Sequence, residues 1–433
     1  MKRLPLVVLL AILLLPPLFG FSLSGTRVQD QPFDSEEELG KIDFAKPLAE
    51  NQRKWVEGAT VSLLTIGSGD PLYAWFGHTA LIVGQPSGGQ VMYDYGVFDT
   101  EQKNFYLNFA RGRMYYAVYE SEATWRIQEA LDEKRDVKLV ELDLTPEATF
   151  ATIRFLQHNA MAENSTYLYH FYKDNCATRI RDIINAATDG EFRAWAEAQG
   201  ASGTYRQLAQ RYLAHAPVVF WALDFLQGPS IDKPLSRYDQ MFLPEELNKA
   251  VLDFFPSLAA KEQIVQDTRA EHVRFTAHAR NVNNDWVYAL AGVIAASLLF
   301  MLGRRCRRTT YLLHALILLA LGGLGSILLF MMTFSDMDMT WLNENILLVN
   351  PLLLLASFSA FRAAFSGRPG KLAGWLYQLL FGAGILLVVA KGVLPTLFVQ
   401  DNMKVILLLL PLYLSGAALY RRAKGKELQA LHP

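Results

Sequence analysis

Hydrophobic and polar positions divide this chain into two regimes. Between about residues 60 and 255 the apolar positions recur in short alternating or helically spaced runs, whereas from about 286 onward they form long, nearly continuous stretches. In the first regime, short runs rich in apolar and β-branched residues predict strands at 60–66, 76–83, 90–98, 114–120 and 136–143. Helical spacing predicts helices at 121–132, 145–161, 176–188, 204–215 and 244–255, followed by a charged, mostly helical stretch at 260–280. Strands and helices mixed in this way indicate an α+β domain. The second regime predicts membrane helices near 286–303, 311–333, 346–365, 373–395 and 404–420, each long enough to cross a hydrocarbon core of about 30 Å.

Charge gives the membrane region a direction. The basic runs at 304–308, 362–371 and 421–426 alternate with acidic or neutral loops at 335–345 and 400–402. The positive-inside rule places the basic loops and the C-terminus in the cytoplasm. At the other end, Met1-Lys2-Arg3 precedes an apolar run at 4–19, the pattern of a cleaved signal peptide or a signal anchor. The two readings stay open, and both export the domain downstream of that run. The expected organisation is therefore a signal segment at 1–23, an extracytoplasmic domain at 24–283 and an all-α membrane domain at 284–433. The chain is 52% hydrophobic, concentrated in those terminal regions, and its net charge of -1 gives no reason to expect a nucleic-acid partner.

Only 2 cysteines occur, and Cys306 falls in a cytoplasmic loop. Cys176 is thus alone in the exported part and cannot form an intrachain disulfide there. A lone cysteine is more often a small core residue than a nucleophile, but its setting, KDNCATR, is polar. Asn175 is a good N-cap, with Asp174 as an alternative, and Ile180, Ile183, Ile184 and Ala187 follow on one helical stripe, with Gly190 as a stop. A cysteine opening a helix meets unsatisfied backbone N–H groups and the positive end of the macrodipole, which favour thiolate and can hold an oxyanion. The donors expected for that anion are the backbone N–H groups of Cys176 and Ala177, at the turn capped by Asn175.

His78 is the candidate base. It opens the strand at 76–83, which the turn residues Gln85-Pro86-Ser87-Gly88-Gly89 connect to the return strand. If Val83 pairs with Val91, Gly96 lies opposite His78 and Asp94 is diagonal to it, in reach to orient the imidazole. A slip of one residue would bring Tyr93 or Tyr95 there instead. A lone histidine beside an apolar strand is more often a core residue, so pairing with Cys176 is what gives it meaning. No phosphate-binding loop or metal-ligand cluster occurs, and neither cofactor nor metal is expected; His272 and His278, six apart, do not share a helix face. The apolar run 216–223 reads as an ordinary core segment or as a surface that dips into the membrane or holds an acyl chain.

These motifs carry a resemblance. WFGHTAL at 75–81, YDYGVFD at 93–99, DNCATRIRD at 174–182 and MFLPEEL at 241–247 resemble the Lnb N-terminal periplasmic domain family over most of residues 55–250. Ile82 departs from the pattern, standing where an arginine is expected. The resemblance implies a circularly permuted papain-like fold of the NlpC/P60 type, in which the His strand precedes the Cys helix. It also implies a lipoprotein transacylase of the bacterial cytoplasmic membrane. Such an enzyme moves an acyl chain from the diacylglyceryl group to the α-amino group of the lipoprotein N-terminal cysteine, with Cys176 as nucleophile and His78 as base. Bacterial lipoproteins and membrane lipid acyl chains are then the expected partners. Two other functions compete: hydrolysis of cell-wall peptides or lipids by the same dyad, and ligand binding by a membrane receptor or transporter. The scarcity of charges within the membrane helices gives a transport path no support.

Overall fold

The computed structural model describes residues 35–99, 104–258, 262–266 and 284–431. The signal segment, His272 and His278 lie outside them. Contacts divide the chain into two units, one gathering 25–217 and 234–281, the other Val218–Lys233 with the C-terminal helices.

The first unit is built on one antiparallel sheet. Its strands are β1 (Thr60–Ile66), β2 (His78–Gly84), β3 (Gln90–Val97), β4 (Tyr115–Glu122), β5 (Val137–Glu141), β6 (Thr166–Leu168) and β7 (Gln263–Gln266), in the spatial order β6-β4-β3-β2-β1-β5-β7. Alternation sorts the side chains to two faces. Leu63, Leu81, Val83, Tyr93 and Tyr95 pack with Ile153 and Leu156 of helix Pro146–Asn159, Ile180 and Ile184 of helix Cys176–Ala187, and Leu247 and Val251 of helix Pro244–Phe254. The opposite residues Leu64, Ile66, Ala80, Ile82 and Met92 pack with Ala123 and Ala130 of helix Ala123–Asp132. The sheet is thus covered on both sides.

Two sequence expectations change. The stretch at 260–280 contains β7, paired with β5, where helix was expected; 267–280 lies outside the described residues. Strand β2 begins at His78 rather than at Phe76, because the chain first turns through Gly77 at φ +79°, where a Cβ would lie 2.8 Å from the Ile66 carbonyl oxygen. Only glycine takes that conformation at that distance.

The second unit holds five helices long and apolar enough to cross a membrane. Among the described residues these spans are Asp285–Arg305, Arg307–Phe334, Asp338–Ser366, Lys371–Val393 and Met403–Arg421, close to the predicted ones, with the α-helix of the third running over Leu352–Ser366. The third starts later than expected. The segment before it turns as a 3-10 helix at Glu344–Leu347, and the Asn350 side chain accepts from the Leu352 N–H at 3.2 Å, so the helix starts there.

The apolar run at 216–223 forms helix Pro217–Leu226, and its buried Phe225 joins the core of this membrane unit. Phe220 and Phe225 are its buried apolar residues, whereas Val218 is exposed, so the helix is covered on one side only. Polar groups of the loops at 335–345 and 400–402 hold it. Asn343 and Asn345 both donate side-chain N–H groups to the Phe225 carbonyl at 2.9 Å, and Gln400 donates to the Gln227 carbonyl at 3.0 Å. The Gly228 N–H donates to the Met339 carbonyl at 2.7 Å.

Gly228 is packed so closely that a Cβ would lie 2.2 Å from the Trp341 carbonyl oxygen. Gly228→Ala must push the backbones apart and should cost about 1–3 kcal/mol, the range for overpacking. Thermal melting of the detergent-solubilised protein should show this as a lowered Tm. For topology, a reporter fused after Pro433 should be active only in the cytoplasm; activity confined to the outside would contradict the orientation.

Candidate functional site

Asn175 builds the start of the cysteine helix. Its own backbone is extended, and its side-chain Oδ1 accepts from the Ala177 and Thr178 N–H groups, both at 2.9 Å. The Asn175 N–H donates in return to Thr178 Oγ1 at 2.8 Å, closing a capping box. The same side chain donates to the carbonyls of Phe171 at 2.9 Å and Phe242 at 3.0 Å. It thereby joins the loop before the helix to the MFLPEEL segment. Asp174, the alternative cap, instead takes a two-point ion pair from Arg179, at 2.5 and 2.8 Å. Cys176 is the first helical residue and only partly buried, while Ile180, Ile183 and Ile184 are buried on the predicted stripe. Gly190 closes the turn beyond the helix at φ +83°, donating its N–H to the Asn185 carbonyl at 2.9 Å.

This cap changes one expectation. The Ala177 N–H, predicted as an oxyanion donor, is already engaged by Asn175 Oδ1, and Ala177 is fully buried. Capping and oxyanion binding compete for the same first-turn N–H groups. Of the predicted backbone pair, the cap leaves only the Cys176 N–H.

The hairpin has the register argued from its turn, with Val83 paired to Val91 and Leu81 to Tyr93. His78 Nε2 and Asp94 Oδ1 share a hydrogen bond. Asp94 is buried, and Arg126 of helix Ala123–Asp132 places its Nε 3.7 Å from the other carboxylate oxygen. Burial alone would lower the His78 pKa. The charge of Asp94, then that of Cys176, and hydrogen bonding to both outweigh burial and push the pKa up to about 10. With Nε2 turned to Asp94, Nδ1 is the nitrogen left for Cys176.

Beyond these, the structure adds residues that the sequence did not single out for the site. Gly96 sits in a bulge between Tyr95 and Val97, at φ +93°, and a Cβ there would lie 3.7 Å from Cys176 Cβ. A glycine inside a strand run is a known bulge signal. Tyr169 is raised well above the usual phenol pKa by burial and then by the charge of Cys176. Its ring stacks on Tyr116 at 4.3 Å, and Tyr116 stacks on Phe98 at 4.9 Å. Among the described residues, no group of three or more His, Cys, Asp or Glu side chains could hold a metal ion.

Residues 51–211 match the Lnb N-terminal periplasmic domain, and residues 283–426 match the Lnb transmembrane domain. The chain belongs to the Lnb family. It is accordingly a membrane protein with an extracytoplasmic domain and a lipoprotein-modifying membrane enzyme. No curated protein and no solved structure matches the chain. In this Lnb-family chain the two matched regions bracket the residues that carry helix Pro217–Leu226.

The raised His78 pKa has consequences with a definite sign. A histidine whose pKa rises on folding stabilises the fold fully below its ordinary value of about 6.5, and that stabilisation is lost as pH climbs through about 10. An activity that uses the His78 imidazolium should therefore fall off on the basic side near pH 10. Asp94→Asn removes the strongest raising influence. Its basic limb should move down towards neutrality, with kcat/KM reduced by about 10²–10⁴-fold. A pH–rate profile of the two proteins checks both statements.

Proposed function

We propose that the protein is a thiol-dependent lipoprotein transacylase. It would move an acyl chain from a membrane lipid or lipoprotein diacylglyceryl ester to the α-amino group of a lipoprotein N-terminal cysteine. The observation that carries this reading is the His78–Asp94 hydrogen bond together with a cysteine that opens a capped helix, and the charges of Asp94 and Cys176 both push the His78 pKa up. The His strand preceding the Cys helix, which packs through Ala177 and Ile180 on the sheet core, supports a permuted papain-like arrangement. The apolar helices of the same chain give the enzyme a membrane anchor, and a tethered site meets lipids at high effective concentration. The matched Lnb domains support lipoproteins as the substrate class.

The residues divide the chemistry between them. The Cys176 thiolate attacks the ester carbonyl, and the S–C bond forms as the carbonyl π pair moves to oxygen. On collapse the C–O bond to glycerol breaks, and His78 gives its proton to the departing alkoxide. The resulting thioester is attacked by the lipoprotein amine. His78 takes the amine proton, and the thiolate leaves. Asp94 fixes the imidazole orientation throughout, and Arg126 holds Asp94 from behind.

The test uses purified full-length enzyme with diacylated lipopeptide in detergent, read by mass spectrometry. An N-acylated lyso-lipopeptide and an acyl adduct on Cys176 are expected. Cys176→Ala should reduce transfer to background, and His78→Ala should lower it by about 10²–10⁴-fold. Free fatty acid without N-acylated product would make the protein a hydrolase instead. Full transfer by Cys176→Ala would end the thiol reading.

A further inference from the structure

Tyr167, in β6, carries a hydroxyl that the fold does not use. The residue is 1% exposed, and its hydroxyl has no hydrogen-bond partner among the described residues. An unpaired buried hydroxyl is destabilising, so its retention needs a reason. The ring is held firmly: the Arg179 guanidinium lies 3.7 Å over its centroid, and Arg179 is itself fixed by Asp174 at 2.5 and 2.8 Å. Burial also pushes the phenol pKa well above its usual value, so the group remains a neutral donor.

The hydroxyl borders the same small space as the nucleophile. A Cβ on Gly96 would lie 3.7 Å from Cys176 Cβ and 3.9 Å from the Tyr167 hydroxyl oxygen. The nucleophile and the Tyr167 hydroxyl therefore flank the same face of Gly96, with no side chain of that residue between them. The backbone donor that would otherwise serve, the Ala177 N–H, is engaged by Asn175.

We propose that Tyr167 is a further catalytic residue, whose hydroxyl donates to the oxyanion formed when Cys176 attacks an acyl carbonyl beside Gly96. The proposal rests on the acyl-transfer reading above. As the S–C bond forms, the carbonyl π pair becomes a lone pair on oxygen, and the Tyr167 O–H hydrogen-bonds to it without transferring its proton. When the intermediate collapses the π bond returns, the C–O bond to the leaving group breaks, and the proton for the leaving oxygen comes from His78. The hydrogen bond is strongest on the charged oxygen, so it favours the intermediate over the ground-state carbonyl.

Tyr167→Phe isolates the hydroxyl, since it keeps the ring under Arg179. The full-length protein is given p-nitrophenyl butyrate as a soluble acyl donor, and the nitrophenolate burst is read together with the Cys176 acyl adduct. Alkylation of Cys176 by iodoacetamide, which forms no oxyanion, is the control. Tyr167→Phe should acylate about 10²–10³-fold more slowly, with unchanged alkylation and an unchanged or raised Tm. If wild type and Tyr167→Phe acylate equally fast, the oxyanion assignment is overturned while acyl transfer stands. If alkylation slows in parallel with acylation, Tyr167 acts on the thiol instead, which also overturns it. A wild type that alkylates but never forms a Cys176 acyl adduct overturns both this proposal and the acyl-transfer reading.

Discussion

One buried amide side chain organises the site. Asn175 accepts from two first-turn N–H groups of the cysteine helix and donates to two carbonyls, those of Phe171 and Phe242. Each partner belongs to a different stretch of chain, so the position of Cys176 is fixed by loop, helix and MFLPEEL segment together. An amide with all these groups paired is rigid because any displacement leaves a buried polar atom unsatisfied. The same saturation removes the Ala177 N–H from chemistry. The cap positions the proposed nucleophile and withdraws one of the two expected donors, leaving the Cys176 N–H as the backbone donor of that pair.

The hairpin carrying His78 was legible because two local signals agreed: the alternation of apolar residues and the turn at Gln85 to Gly89. That agreement fixed the register, and the register brought Asp94 to His78. The helix start at Cys176 was legible for the same reason, since capping acts within a few residues. The membrane helices follow from length and hydropathy alone. What could not be read depends on contacts between distant stretches of chain. Arg126 reaches Asp94 from the helix that covers that face of the sheet, Tyr167 comes to the side of Gly96 that Cys176 also faces, and β7 becomes a strand by pairing with β5, against the charged composition around it. Helix Pro217–Leu226 was the most ambiguous case. Its composition suits any apolar core, and only the fold says that the core belongs to the membrane unit.

The loops at 335–345 and 400–402 show how far charge patterning can be taken. Their acidic or neutral character orients the membrane region, yet Glu344 does not face water freely. It pairs with Lys391 at 2.5 Å, and Lys391 also donates to the Gln400 carbonyl at 2.6 Å. Desolvating two charges offsets much of their attraction, so such a pair adds little net stability. Its effect is directional: Gln400 also binds the Glu344 N–H at 2.7 Å and the Gln227 carbonyl at 3.0 Å. Segment Val218–Lys233 is thus held in one register by a polar network that sequence charge counts would assign to solvent.

In the proposed reaction His78 acts first as an acid and then as a base, and its electrostatics suit both roles. In the free enzyme, Asp94 and the Cys176 sulfur both raise its pKa against the effect of burial. The imidazolium is then ready to protonate a departing glyceride oxygen. In that proposal, thioester formation would remove the charge from sulfur and with it one of the two raising influences, while burial and Asp94 would remain. The balance shifts towards neutral imidazole just when the incoming amine needs a base. Departure of the thiolate restores the sulfur charge, and the imidazolium with it. Under the proposed mechanism, the covalent state of Cys176 would therefore bias the protonation of His78 at each stage.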